Sequence, residues 1–105
     1  AAESRLKLLL ADEPEAGHLH FGLGNLYARQ GRWPQAQDAY FNAYTTQPQN
    51  ADYAFNLAVS LDHLAQRDAA MSYYQRALDL GDRQSAGFEP GDVLSRMQAM
   101  RAGGN

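Results

Sequence analysis

Cysteine is absent from the 105 residues. That excludes disulfides, thiolate metal sites and cysteine nucleophiles, and leaves the redox compartment open. Lysine occurs once, at Lys7, and arginine supplies every other basic charge of a chain whose net charge is −3. Sequence-independent binding to nucleic acid needs clustered cations that neutralise phosphates, so nucleic acid is not an expected partner. No apolar run approaches the roughly 18 residues of a membrane span. The opening residues AAESRLKLLL lack the long apolar core and cleavage signal of a leader. The chain is therefore expected to be soluble, without direct membrane insertion, and excised from something longer. Hydrophobic residues nevertheless make up 45% of it, enough for the core of one domain.

Catalytic constellations are missing too. His18 and His20 are two apart on a helix, so their side chains point about 200° apart, whereas zinc-binding helices use spacings of three or four. His63 and its neighbour Asp62 likewise leave their helix on different faces. No glycine-rich phosphate loop, no serine in a strained strand-to-helix turn and no pair of carboxylates on one face is found. No enzymatic activity, metal or cofactor is expected.

What the chain does contain is a repeat. Residues 17–48, slid forward by 34 positions, lie over residues 51–82 with large and small side chains in matching places. Leu23, Gly24 and Tyr27 become Leu57, Ala58 and Leu61, while Ala36, Tyr40 and Ala43 become Ala70, Tyr74 and Ala77. A period of this size built from two helices signals a stacked array. The motif is Leu-Gly-x-x-Tyr in a first helix, a turn glycine, then Ala-x-x-x-Tyr-x-x-Ala in a second, closed by proline. The first copy satisfies it at Leu23, Gly24, Tyr27, Gly31, Ala36, Tyr40, Ala43 and Pro48, and on these residues the chain resembles the tetratricopeptide repeat family. The resemblance implies an all-α fold, a right-handed superhelix of antiparallel helix pairs.

In chain order, residues 2–13 read as the second helix of an incomplete repeat, stopped by Pro14. Carrying the period backward puts Leu6 and Leu9 on the Tyr40 and Ala43 positions, whereas Leu8 falls on a normally polar side. Leu8 is either a leucine on a helix end or a surface covered by upstream repeats or a second copy of the chain. Leu6, Leu8 and Leu9 are accordingly the candidates for self-association as a homodimer.

Residues 17–50 form the first full repeat. Leu19, Leu23, Leu26 and Tyr27 make the inward stripe of its first helix. Gly24 is expected to face small Ala36 so that the helices approach closely. Gly31 ends that helix in the left-handed conformation, and Pro34 suits the first turn of the next.

Residues 51–84 repeat the pattern, except that Ala65 stands where Gly31 did, so this turn must take another path or accept strain. Gly81 is expected to stop the last of these helices. Beyond Asp82 the stretch DRQSAGFEPGD is a loop by composition. A capping helix follows at 90–101, with Val93, Leu94, Met97 and Met100 on its covered side and Arg96 and Arg101 keeping the other side solvated. Residues 102–105 form a tail.

By the resemblance, the useful surface is the concave wall made by the first helices. Helical phase places His18, Phe21, Asn25 and Arg29 on it from one repeat, and Asp52, Phe55, Asn56, Val59, Asp62 and His63 from the other. Phe21 and Phe55 are copies of one position and are expected to stack as an exposed anchor rimmed by polar groups, unless flanking helices or the cap bury them. Asn25 and Asn56 offer a donor and an acceptor to a peptide unit, or are ordinary repeat consensus. The clamp with which some family members grip a chaperone's carboxyl terminus is rejected, because the residue one turn before Asn25 is Phe21 and the repeat that would supply further cations is absent. Arg29 and Asp62 could pair across the two helices.

Two roles fit: a scaffold that binds a protein or peptide partner in this groove, or the closing end of a longer solenoid that self-associates and has no groove ligand. The last half of the chain, NLAVSLDHLAQRDAAMSYYQRALDL followed by GFEPGDVLSRMQAM, is similar to carboxyl-terminal repeats of bacterial envelope proteins that assemble pili, secretion or exopolysaccharide machines. That similarity implies a periplasmic segment of a membrane-anchored scaffold; a cytoplasmic scaffold or chaperone accessory fits the same residues.

Overall fold

A computed structural model describes residues 1–82 and 86–103. Part of the expected loop (83–85) and the end of the expected tail (104–105) lie outside the described residues. Six helices follow in succession: α1 (Ala2–Asp12), α2 (Gly17–Arg29), α3 (Trp33–Thr46), α4 (Ala51–His63), α5 (Arg67–Gly81) and α6 (Pro90–Gly103), with no strand among the described residues. Each helix packs on the next, and the closest pairs are α2 with α3 and α4 with α5. The stack measures 44 × 29 × 18 Å.

Local chemistry sets the ends of these helices. Pro34 sits in the first turn of α3, where a missing amide is no loss. Asn50 caps α4 by accepting a 3.1 Å hydrogen bond from the Tyr53 amide at its side-chain oxygen, a contact typically worth about 1 kcal/mol. The two turns inside the repeats are the same turn. Gly31 has φ +70° and Ala65 has φ +59°. Behind them the Arg32 amide donates to the Tyr27 carbonyl and the Gln66 amide to the Leu61 carbonyl, both at 2.9 Å. This is the Schellman closure of a helix. Ala65 therefore takes the glycine's path and accepts the strain of a left-handed alanine, about 1–2 kcal/mol.

What Gly24 meets most closely is the Tyr40 ring. A Cβ added at Gly24 would lie 2.6 Å from carbons of the Tyr40 ring, so the glycine makes room for an aromatic face. The ring lies flat enough on α2 for its hydroxyl to reach Asn25 Oδ1 at 2.7 Å. In the second repeat, Ala58 keeps its methyl, and the Tyr74 hydroxyl donates instead to Asp62 Oδ2, one turn further along α4, at 2.9 Å. The single methyl thus goes with a different reach of the tyrosine.

The cap buries Val93, Met97 and Met100, all at most 5% exposed, a spacing of four and three on one helix face. Leu94 lies about 100° round the helix from Val93 and is 53% exposed, so it does not belong to the covered side as expected. At the other end, Leu6 and Leu10 of α1 pack on the core, with Leu6 resting over Gly22, whereas Leu8 and Leu9 are 72% and 43% exposed. Of the self-association candidates, Leu6 is thus largely occupied within the chain.

Glu3 fastens α1 to the first repeat. Its carboxylate takes the Tyr27 hydroxyl at 2.9 Å and Arg32 Nη1 at 3.1 Å, and pairs with Lys7 at 3.0 Å. Lys7 first, then Tyr27 and Arg32, hold this carboxyl down at about 2.

Candidate functional site

The face carried by α2, α4 and α6 holds the candidate residues, and the structure gives most of them internal partners. Phe21 and Phe55 do not stack on each other. Each leans on the tyrosine of its own repeat, Phe21 on Tyr40 at 5.7 Å between centroids and Phe55 on Tyr74 at 6.2 Å. Each is then covered by an aromatic from the next element: Phe21 by Tyr53 of α4 at 4.9 Å, and Phe55 by Phe88, from the segment leading into α6, at 4.7 Å and 16°. Both are half-buried. The period explains why this was missed. Tyr53 carried forward by 34 positions lands on Gly87, next to the residue that does the covering. An aromatic inside an otherwise small and polar loop was the signal available in the sequence.

The polar candidates divide into braces and open positions. Asn25 accepts from Tyr40, whose phenol is pushed up to about 12 by burial, with Arg29 opposing. Asn56 donates to the carbonyl of Asp52 on its own helix at 2.9 Å. Asp52 in turn accepts the Gly87 amide at 2.7 Å, tying the segment before α6 to α4.

Asp62 does not pair with Arg29. Arg96 of α6 grips it with Nε at 2.7 Å and Nη2 at 2.6 Å, while Tyr74 supplies a third donor. The carboxylate is only 13% exposed and is held below its ordinary pKa, chiefly by the Arg96 bonds. Burial first, then the Asp62 carboxylate, pushes the Tyr74 phenol up. Arg96, expected on a solvated side, is therefore a bidentate strap between cap and repeat. The apolar side chains of α6, at about 1.5–3 kcal/mol for each one fully buried, outweigh a half-exposed ion pair of about 1 kcal/mol. Arg96 orients the cap rather than holding it on.

His63 lies flat against Trp33 at the start of α3, with centroids 3.8 Å apart and 4° between planes. His18 and Arg29 are exposed on α2, and the ring Nε2 of His20 lies 2.8 Å from the Pro14 carbonyl.

Two adjoining hollows share Tyr74 and Arg96. One, of about 340 Å³, has Phe55, Tyr74, Phe88 and Val93 as its apolar surface and Glu89, Asp92 and Arg96 at its edge. The other is bounded by Val59, Asp62, His63, Tyr74 and Arg96. A wider hollow near the Ala65 turn is walled largely by Arg67, Asp68 and Arg101 and presents no aromatic ring. Among the described residues no buried side-chain polar atom lacks a partner, so the groove offers apolar surface and rim charge rather than orphaned hydrogen-bonding groups. Among the same residues no His, Cys, Asp or Glu cluster could hold a metal ion, and no helix is long and apolar enough to cross a membrane.

A family model described as tetratricopeptide repeat matches residues 1–51 and again 25–85. The chain belongs to the tetratricopeptide repeat family. In this tetratricopeptide fold the face of α2, α4 and α6 is the wall of first helices, with α6 standing where a third repeat would begin. A sequence comparison with curated proteins finds no match.

Solved structures resemble it closely in fold. The type III secretion translocator chaperone SycD of Yersinia enterocolitica superposes with a TM-score of 0.85 at 18% identity, over 95% of this chain and 70% of that one. PcrH, solved in complex with the chaperone binding region of PopD, gives 0.86 at 19% identity over 98% and 78%. MamA gives 0.83 at 17% identity over 96% and 56%.

Proposed function

We propose that this tetratricopeptide chain is a non-enzymatic scaffold that binds a peptide or partner domain along the wall of α2, α4 and α6. The observation that carries the proposal is the half-open apolar hollow between α4 and α6, floored by Phe55, Tyr74, Phe88 and Val93. A concave apolar surface with a few placed polar groups is the usual form of a binding site. The fold neighbour PcrH, solved with a segment of PopD, supports the same use of the fold. The secretion chaperone among the neighbours, and the likeness of the carboxyl-terminal half to envelope-assembly repeats, support a place in a bacterial assembly apparatus.

Random-peptide display against the whole chain supplies ligands to test this. Binding of the selected peptides is then measured by calorimetry to the wild type and to Asp92→Trp and Leu8→Lys variants, each checked for wild-type helicity by circular dichroism. Asp92 lines the hollow and is exposed on α6, so a bulky residue there obstructs the site without entering the core. Groove binding requires loss with Asp92→Trp and retention with Leu8→Lys; the opposite pattern sinks it.

A second reading has its own observation: Leu8 and Leu9 stand exposed, and Leu9 lines a hollow with Ala1, Ala2, Arg5 and Leu6. On that reading α1 is a self-association surface. Sedimentation equilibrium should then show a dimer that Leu8→Lys converts to monomer.

A further inference from the structure

Resting on the groove reading above, we infer that the occupant of the α4–α6 hollow is a peptide segment with an apolar anchor side chain flanked by lysine or arginine. The surroundings of the hollow are unbalanced in charge. Among the described residues, Glu89 and Asp92 line it and Asp52 and Asp62 stand next to it, against one cation, Arg96. That cation is already engaged, because two of its nitrogens are bonded to the Asp62 carboxylate. Asp52 gives one oxygen to the Gly87 amide. Glu89 and Asp92 are exposed at the rim.

An acidic ligand would meet a guanidinium whose charge Asp62 already offsets, together with two open carboxylates, and like-charge juxtaposition disfavours wrong partners more strongly than a rim pair favours the right one. A basic flank meets Glu89 and Asp92 without breaking any existing bond. The apolar anchor finds Phe55 and Phe88, whose rings already stack at 4.7 Å, with Tyr74 and Val93 beneath. The other end of the wall, α2, carries one cation, Arg29, and no carboxylate. The binding face is thus polarised along its length, and the basic part of a ligand belongs at the α6 end.

The test uses the whole chain, a random-peptide display library as probe and a Glu89→Gln, Asp92→Asn double variant, which removes rim charge without adding bulk. A Glu13→Gln, Glu15→Gln variant removes the same charge from exposed positions at the α1 end. Selected peptides should carry lysine or arginine within two residues of an apolar side chain. They should bind the rim variant about 3- to 10-fold more weakly, as expected for two exposed ion pairs, bind the control variant unchanged, and weaken with added salt. Peptides lost by Asp92→Trp but without basic flanks, or indifferent to the rim variant, would overturn the inference and leave groove binding standing. Peptides indifferent to Asp92→Trp, or no selected peptide at all, would overturn both.

Discussion

Replacing Gly24 by alanine should destabilise the array, although the same change in an ordinary helix stabilises. The new Cβ would lie 2.6 Å from carbons of the Tyr40 ring, where carbon contacts normally settle at about 3.5–4.0 Å. The ring must shift, and overpacking of this kind costs about 1–3 kcal/mol. A shifted ring also loses its 2.7 Å bond to Asn25, worth about 1 kcal/mol. Opposing this, alanine gains about 1 kcal/mol over glycine inside a helix. The net loss is about 1–3 kcal/mol, a fall in melting temperature of about 5–15 °C for a domain of this size. Thermal unfolding followed by far-ultraviolet circular dichroism reads it directly. Ala58→Gly is the reciprocal test: that position already accommodates a methyl, so the substitution should lower the melting temperature as well. A Gly24→Ala protein that melts higher than wild type would refute the packing argument.

Ala65→Gly should stabilise by about 0.5–1 kcal/mol, since it relieves a left-handed alanine but loosens the unfolded chain; urea unfolding midpoints measure it, and a lower midpoint counts against strain at the turn. Acid should loosen α1. The Glu3 carboxyl is held at about 2 from an ordinary 4.5, and a depressed carboxyl contributes stability that is present above its unfolded pKa and lost as pH falls through its folded one. Stability should therefore drop between pH 4.5 and 2, and Glu3→Gln should flatten that part of the curve; an unchanged slope would show that the network is not coupled to folding. Asp62→Asn and Arg96→Met should show a coupling of about 1 kcal/mol in a double-mutant cycle, and additivity would mean that the strap contributes nothing.

The helices and turns were legible in the sequence because they depend on local chemistry and on a period that appears twice. Gly31, Pro34 and the leucine stripes act within a few residues of themselves, and Ala65 could be marked as strained because its aligned partner is a glycine. The candidate wall was legible in position but not in contacts. Helical phase says where Phe21, Phe55 and Asp62 point, whereas what meets them depends on the neighbouring element. Where a repeat follows, Tyr53 covers Phe21. Where the array stops, an irregular segment and the cap take over, and no periodicity leads to Phe88 or Arg96. Leu94 shows the same limit at smaller scale: one residue of phase separates a covered side chain from an exposed one.

The stacked pair Trp33 and His63 joins α3 of one repeat to α4 of the next, and Trp33 is the only tryptophan in the chain. Indole emission depends on what lies against the ring, so the molecule carries an optical reporter at the seam between its two repeats. In a linear array each unit touches only its neighbours, and units can part before they unfold. Opening of that seam should change the indole emission while the helical signal is still intact. An observer could then watch the repeats separate one step ahead of melting, without attaching any label.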